Sequence, residues 1–137
     1  MSAPRRSLAA AAALLAACTA TASGNGTVPS EYLAPQWRIV AIDGQPFAAR
    51  GTIDFSEPGR ASGEAPCNRW TGSYEGPLPA FVLKGVAVTR MACPDMKDEA
   101  RFLQALSAMT EARTEGILGL KLTGPGGRSM EFVRPMN

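Results

Sequence analysis

The feature that most constrains this chain is where its three cysteines fall among 137 residues: positions 18, 67 and 93. Cys18 closes a run that starts basic at Arg5-Arg6, continues apolar from Ser7 to Leu15 and ends in small residues. That order is the pattern of a secretory leader. It is too short for a membrane-spanning helix, which needs about 20 apolar residues.

Leu15-Ala16-Ala17-Cys18 also has the form of a bacterial lipobox. Residues 1–17 are therefore expected to be removed and Cys18 to be acylated, anchoring the chain to a membrane. Thr19 after the cysteine, in place of Asp, is similar to bacterial lipoproteins of the outer membrane and suggests a chain facing the periplasm. Acylation of Cys18 leaves Cys67 and Cys93 for an oxidising compartment, where a pair persists as a disulfide. A bridge closing a loop of about 25 residues contributes roughly 3 to 4 kcal/mol in the chain-entropy model. The alternatives are an ordinary leader with a chance cysteine, which leaves one thiol over, or a reactive Cys67 whose thiol is acidified by Arg69.

Residues 18–31 are small and polar without periodicity, which reads as a flexible tether. Residues 32–137 amount to one domain. Of the 14 basic residues, Arg5 and Arg6 leave with the leader, so 12 face 12 acidic ones. Such neutrality argues against nucleic acid as a partner, which needs clustered positive charge.

Along the domain, Gln36 to Ile42 alternates as a strand with Trp37, Ile39 and Ala41 on one side, and Asp43-Gly44 turns the chain. Gly51 to Phe55 is a second strand with Ile53 and Phe55 inward. Arg60 to Gly63 follows the Glu57-Pro58-Gly59 turn, and Cys67 to Tyr74 carries aromatic positions at 70 and 74. Ala80 to Lys84 and Val86 to Arg90 form two segments or one strand bulged at Gly85. After Cys93-Pro94 the period changes: Asp95 can cap a helix over about Met96 to Thr110, with Asp98 and Glu99 in the favoured first turn. Met96, Glu99 or Ala100, Leu103, Leu106 and Met109 share one face, with Phe102 beside them. Thr114 to Ile117, Leu118 to Leu122 and Ser129 to Val133 read as strands, the last two joined by the Gly124-Pro125-Gly126-Gly127 turn. The order predicts an α+β domain, a mainly antiparallel, barrel-like curved sheet with one packed amphipathic helix.

The chain has no histidine. That excludes a Ser/His/Asp triad, a histidine base and a histidine-bearing metal site. Two cysteines make no structural zinc site, and the glycine turn lacks the Lys-Ser/Thr of a phosphate loop. No catalytic residue, metal or cofactor is expected. The sharpest polar candidates are Asn68, Arg69 and Arg90, which could grip a carboxylate or phosphate, since arginine offers bidentate donors. Equally, they could satisfy strand-end carbonyls or pair with Glu64 or Glu99. A second candidate is an apolar groove between sheet and helix lined by Met96, Leu103, Leu106 and Met109, able to take a lipid tail or other small apolar ligand.

Trp37, Gly63, Cys67-Asn68-Arg69, Gly72, Tyr74, Thr89-Arg90-Met91-Ala92-Cys93, Glu99, Phe102, Leu118 to Leu122 and Phe132 together resemble the META/HslJ-like family of small bacterial envelope lipoproteins. Pro66 departs from the small residue usual before the first cysteine. The resemblance implies a compact antiparallel sheet with a packed helix, no enzymatic activity, and a role in stress tolerance or envelope maintenance through protein or surface contacts. Carriage of an apolar ligand, or inhibition of an envelope protease through the Gly/Pro loops at 76–79 or 124–127, are the other roles considered.

Overall fold

A computed structural model describes residues 2–4, 12–13, 27–33 and 36–136. Cys18 and most of the expected leader and tether lie outside the described residues. Strand β1 (Trp37–Ile42) runs into the Asp43-Gly44 turn and returns as the short β2 (Gln45–Pro46). Both turn residues have positive φ, 51° and 75°, the conformation that an Asp-Gly hairpin turn favours. Strand β3 (Thr52–Ile53) pairs with the start of β1. A three-stranded antiparallel sheet follows, β4 (Arg60–Glu64), β5 (Arg69–Tyr74) and β6 (Leu83–Val88), in that order. Then come helix α1 (Met96–Ala108) and the strands β7 (Glu111–Glu115), β8 (Gly119–Gly124) and β9 (Arg128–Val133).

The larger sheet has the order β2-β1-β9-β8-β7, with β3 also on β1. Isolated bridges join the two sheets at both margins, Asp54 to Ser62 and Ala80 to Glu111. The sheet thus curls in the manner of a barrel without a continuous ladder closing it. The α+β architecture with mainly antiparallel, curved strands and one packed helix is as the sequence predicts.

The core explains the local departures. Trp37, Ile39, Ile53 and Phe55 are fully buried, as their alternation requires. A bulge between Ile39 and Ala41 shifts the β1–β9 register, so Ile42 and not Ala41 completes the inward set. Around Gly85, with φ 60°, β6 is one strand whose register against β5 shifts between Thr71 and Ser73. Residues 116–118 form an exposed turn between β7 and β8, so Ile117 and Leu118 fall outside the strands expected there. Met130 and Phe132 take the inward face of β9.

The packed chain begins ahead of Tyr32. Val28 is buried, and a 3-10 turn over Ser30–Tyr32 leads into the core. The Tyr32 hydroxyl donates to Ala112 O at 2.8 Å, and its ring meets Phe55 edge-on. What reads as the end of a tether is therefore part of the domain.

Helix α1 turns Glu99, Phe102, Ala105 and Leu106 inward. Phe102 sets this rotation: a Cβ on Gly51 would meet its ring at 2.6 Å, so the glycine makes room for it. Asp95 makes no side-chain cap. Its carbonyl instead accepts the Glu99 amide at 2.9 Å.

At the β1–β2 turn, the Asp43 carboxylate accepts the Ser129 amide at 3.0 Å and Arg128 Nε at 3.1 Å. The Ser129 bond, followed by Arg128, holds its pKa below the ordinary aspartate value. A depressed carboxylate pKa stabilises the fold above the unfolded-state value, near 4, and this contribution is lost as pH falls through the folded value. Asp43→Asn is expected to lower the urea midpoint at pH 7, and the gap from wild type to narrow below about pH 4. A gap independent of pH would show that the contact acts by shape alone.

Candidate functional site

The polar residues singled out by sequence surround the end of β5, where the chain leaves Cys67 for Asn68. Cys67 and Cys93 are disulfide-bonded, with Cα atoms 6.0 Å apart, a span within the usual range for disulfides. The bridge ties the β4–β5 connection to the segment entering α1. That removes the free-thiol reading of Cys67. Replacing both cysteines by alanine is expected to cost about 3 to 4 kcal/mol of unfolding free energy, measured by urea titration under oxidising conditions.

Beside the bridge, a carboxylate is buried, and among the described residues no cation pairs with it. Glu99 is 4 % exposed in the first turn of α1, where the helix dipole favours a negative group. One of its oxygens accepts the Cys67 amide at 2.7 Å and the Asn68 amide at 2.8 Å. The other accepts Asn68 Nδ2 at 2.6 Å. These are charge-assisted bonds, stronger than neutral ones.

Asn68, 5 % exposed, uses its whole amide. Nδ2 also donates to Met91 O at 3.1 Å, while Oδ1 accepts the Met91 amide at 2.6 Å and the Thr89 hydroxyl at 3.1 Å. Thr89 Oγ1 accepts the Arg69 amide at 3.0 Å. Four pieces of chain are thereby fastened together: the β4–β5 corner, β5, the end of β6 and α1.

Arg69 and Arg90 stand outside this knot. Both are exposed, and among the described residues neither makes a side-chain hydrogen bond or ion pair. Glu64 pairs with Arg50 at 3.7 Å instead, and Glu99 is taken by Asn68 and the backbone. The two arginines line adjacent depressions that share Asn68, Thr89 and Met91. Arg90 lines a depression of about 550 Å³ with Val86, Val88, Met91 and Met96, whereas Arg69 lines a neighbouring one of about 280 Å³ with Arg50 and Glu64. Asn68 spends its side-chain amide on Glu99, Met91 and Thr89, while both arginines are exposed.

The four residues of the expected groove are likewise divided. Leu106 and Met109 are 1 % exposed and fill the core, Leu103 is half-buried, and Met96 is 46 % exposed over the depression beside Arg90. The rotation set by Phe102 places Leu106 and Met109 inside the packing, and the depression that Met96 lines includes none of the other three. Sequence reasoning missed Thr89 as a partner of Asn68. The pairing alternative holds for Asn68, which satisfies the Met91 carbonyl and bonds Glu99; what the sequence did not show is that the Glu99 carboxylate also takes the Cys67 and Asn68 backbone amides.

The arrangement defines a class: a small α+β domain in which a disulfide and a buried Asn–Glu knot secure one end of a curled sheet. A META domain model matches residues 31–137, and the chain belongs to the META domain family. That family is envelope-associated and carries no known enzymatic activity. Two solved structures are similar. One, from Burkholderia xenovorans, is 25 % identical with a TM-score of 0.59, over 79 % of this chain and 86 % of that one. The other is 20 % identical with a TM-score of 0.58, over 77 % and 93 % respectively, and shows the fold alone. A search of curated proteins found no match.

Proposed function

We propose that the protein is a lipid-anchored envelope protein that acts through protein or surface contacts and not through catalysis, in stress tolerance or envelope maintenance. The observation that carries this reading is the use of the buried polar groups. Asn68 and Glu99 are spent on backbone and on each other, while Arg90, Met91 and Met96 face outward around an open depression. Such a surface, apolar with one cation at its rim, suits binding better than proton transfer. The leader ending at Cys18 supports export and acylation.

Two measurements test it. Mass analysis of the N-terminal peptide should find Cys18 acylated, with the protein in the membrane fraction and Cys18→Ala released from it. An unmodified Cys18 would sink the anchor. Arg90→Ala should leave the melting temperature within about 3 °C, since exposed substitutions shift stability by less than about 0.5 kcal/mol, yet weaken crosslinking of a photoreactive residue at Met91 to its envelope partner. Equal crosslinking in both chains would remove the surface from consideration.

A further inference from the structure

The end of the domain away from the Asp43 and Gly126 turns is apolar where it meets water. At the β7–β8 turn Ile117 is 79 % and Leu118 51 % exposed, and Met136 near the C-terminus is 86 % exposed. Leu118 and Met136 line a depression of about 450 Å³ with Arg38, Val133, Arg134 and Pro135. A soluble surface seldom sets large aliphatic side chains together at a hairpin tip unless something covers them.

Three observations say what covers them. First, the described N-terminal segment, residues 27–33, is bonded to the start of β1. Tyr32 O accepts Trp37 Nε1 at 2.9 Å at the first residue of β1. Arg38, Val133 and Gly119 then lie side by side across β1, β9 and β8, and the Arg134 amide donates to Leu118 O at 2.8 Å. The start of β1, to which Tyr32 is bonded through the Trp37 ring, the 116–118 turn and residues 134–136 therefore share one end, while the Tyr32 hydroxyl reaches Ala112. Second, about ten residues separate Cys18 from Val28, a reach of at most roughly 35 Å when extended. Third, the rim is cationic. Among the described residues Arg38 and Arg134 have no acidic partner. Arg134 stacks 5.3 Å from the Trp37 ring centroid, and its buried Nε has no hydrogen-bond partner. Glu115 is the acid nearest in sequence to the tip.

We infer that this end is a membrane-contact surface: Ile117 and Leu118 enter the headgroup and upper acyl region of a bilayer while Arg38 and Arg134 meet anionic lipid phosphates. Aliphatic side chains at a tip with cations behind them match the layering of an anionic interface. The inference rests on the anchored reading above, and it fixes which face of the domain the membrane sees. The Arg90–Met91–Met96 depression shares no lining residue with this surface and then stays accessible to a partner.

Hydrogen exchange of the full processed chain, with and without vesicles of phosphatidylethanolamine and phosphatidylglycerol at about 3:1, tests the assignment. Amides of residues 116–119, 134 and 136 are expected to exchange at least about threefold more slowly on vesicles, with 124 and 126–128 unchanged. Ile117→Ser with Leu118→Ser, both at exposed positions, should abolish that slowing without altering exchange in the free protein. Unchanged exchange at 116–119 on vesicle-bound protein would overturn the inference. So would slowing that appears with protein concentration alone, which would assign the patch to a second copy. The mass of the Cys18 peptide reports the anchor independently. An unacylated chain whose 116–119 amides are still protected by vesicles supports the surface while refuting the anchor.

Discussion

Glu99→Ala is expected to be among the most damaging single substitutions in the domain, lowering unfolding free energy by about 3 to 5 kcal/mol. The change leaves the Cys67 and Asn68 backbone amides without their acceptor and takes one of two acceptors from Asn68 Nδ2, which keeps Met91 O. Each buried donor left unsatisfied costs about 1 to 3 kcal/mol, and those of one network do not simply add. Glu99→Gln preserves shape and separates charge from volume. Its single carbonyl oxygen can serve the two backbone amides, but its NH₂ then faces Asn68 Nδ2, donor against donor. Turning Asn68 over offers no relief, because its Oδ1 is held by Met91 N and Thr89. A loss of about 2 kcal/mol is therefore expected for the isostere. Asn68→Asp places a second carboxylate where Nδ2 stands 2.6 Å from Glu99, and should rival Glu99→Ala at neutral pH. Urea titrations of the three variants with the disulfide intact decide the matter. Wild-type stability in Glu99→Ala would mean that water replaces the carboxylate without cost.

How much of this was legible in the sequence depends on the range of the contact involved. The cysteine pairing followed from arithmetic and compartment. The change from strand to helical period after Pro94 located α1 to within two residues at its C-terminal end. Alternation placed Trp37, Ile53 and Phe55 inside, because a strand with one buried face has only that register. A bulge adds one residue and reverses the alternation beyond it, so the exchange of Ala41 for Ile42 could not be read from the β1 sequence. The knot was half visible. Asn68 and Glu99 both stood out, yet their partnership spans 31 residues and needs the helix rotation set by Phe102 against Gly51. Charge also misled: opposite signs suggested that Arg69 or Arg90 would meet Glu99, whereas two backbone amides at a chain corner satisfy a carboxylate without the entropy cost of ordering a long side chain. Ile117 and Leu118 were placed in strands because aliphatic residues generally face inward, a rule that a membrane or partner surface breaks.

Gly63→Ala tests a different restraint, one in which bulk and not polarity decides. Gly63 sits in β4 opposite Trp70 of β5. A Cβ there would fall 2.0 Å from Thr52 O and 2.7 Å from Thr52 C, both backbone atoms of β3. Thr52 cannot withdraw without cost. Its carbonyl accepts Trp70 Nε1 at 3.2 Å, and its hydroxyl accepts the Glu64 amide at 2.9 Å. Moving β3 aside would strain those bonds and open the packing around Ile53 and Trp70, both at most 1 % exposed. The expected loss is about 3 kcal/mol, at the upper end of what overpacking a core costs. Gly116→Ala provides the control. That glycine has φ 64° and nothing within 4 Å of its would-be Cβ, so alanine meets backbone strain alone, about 1 to 2 kcal/mol. Denaturant midpoints of the two variants separate collision from conformation. If Gly63→Ala proved no worse than Gly116→Ala, β3 would have to be able to slide across β4 while keeping Trp70 and Glu64 bonded, and the join between the two sheets would be far softer than these contacts imply.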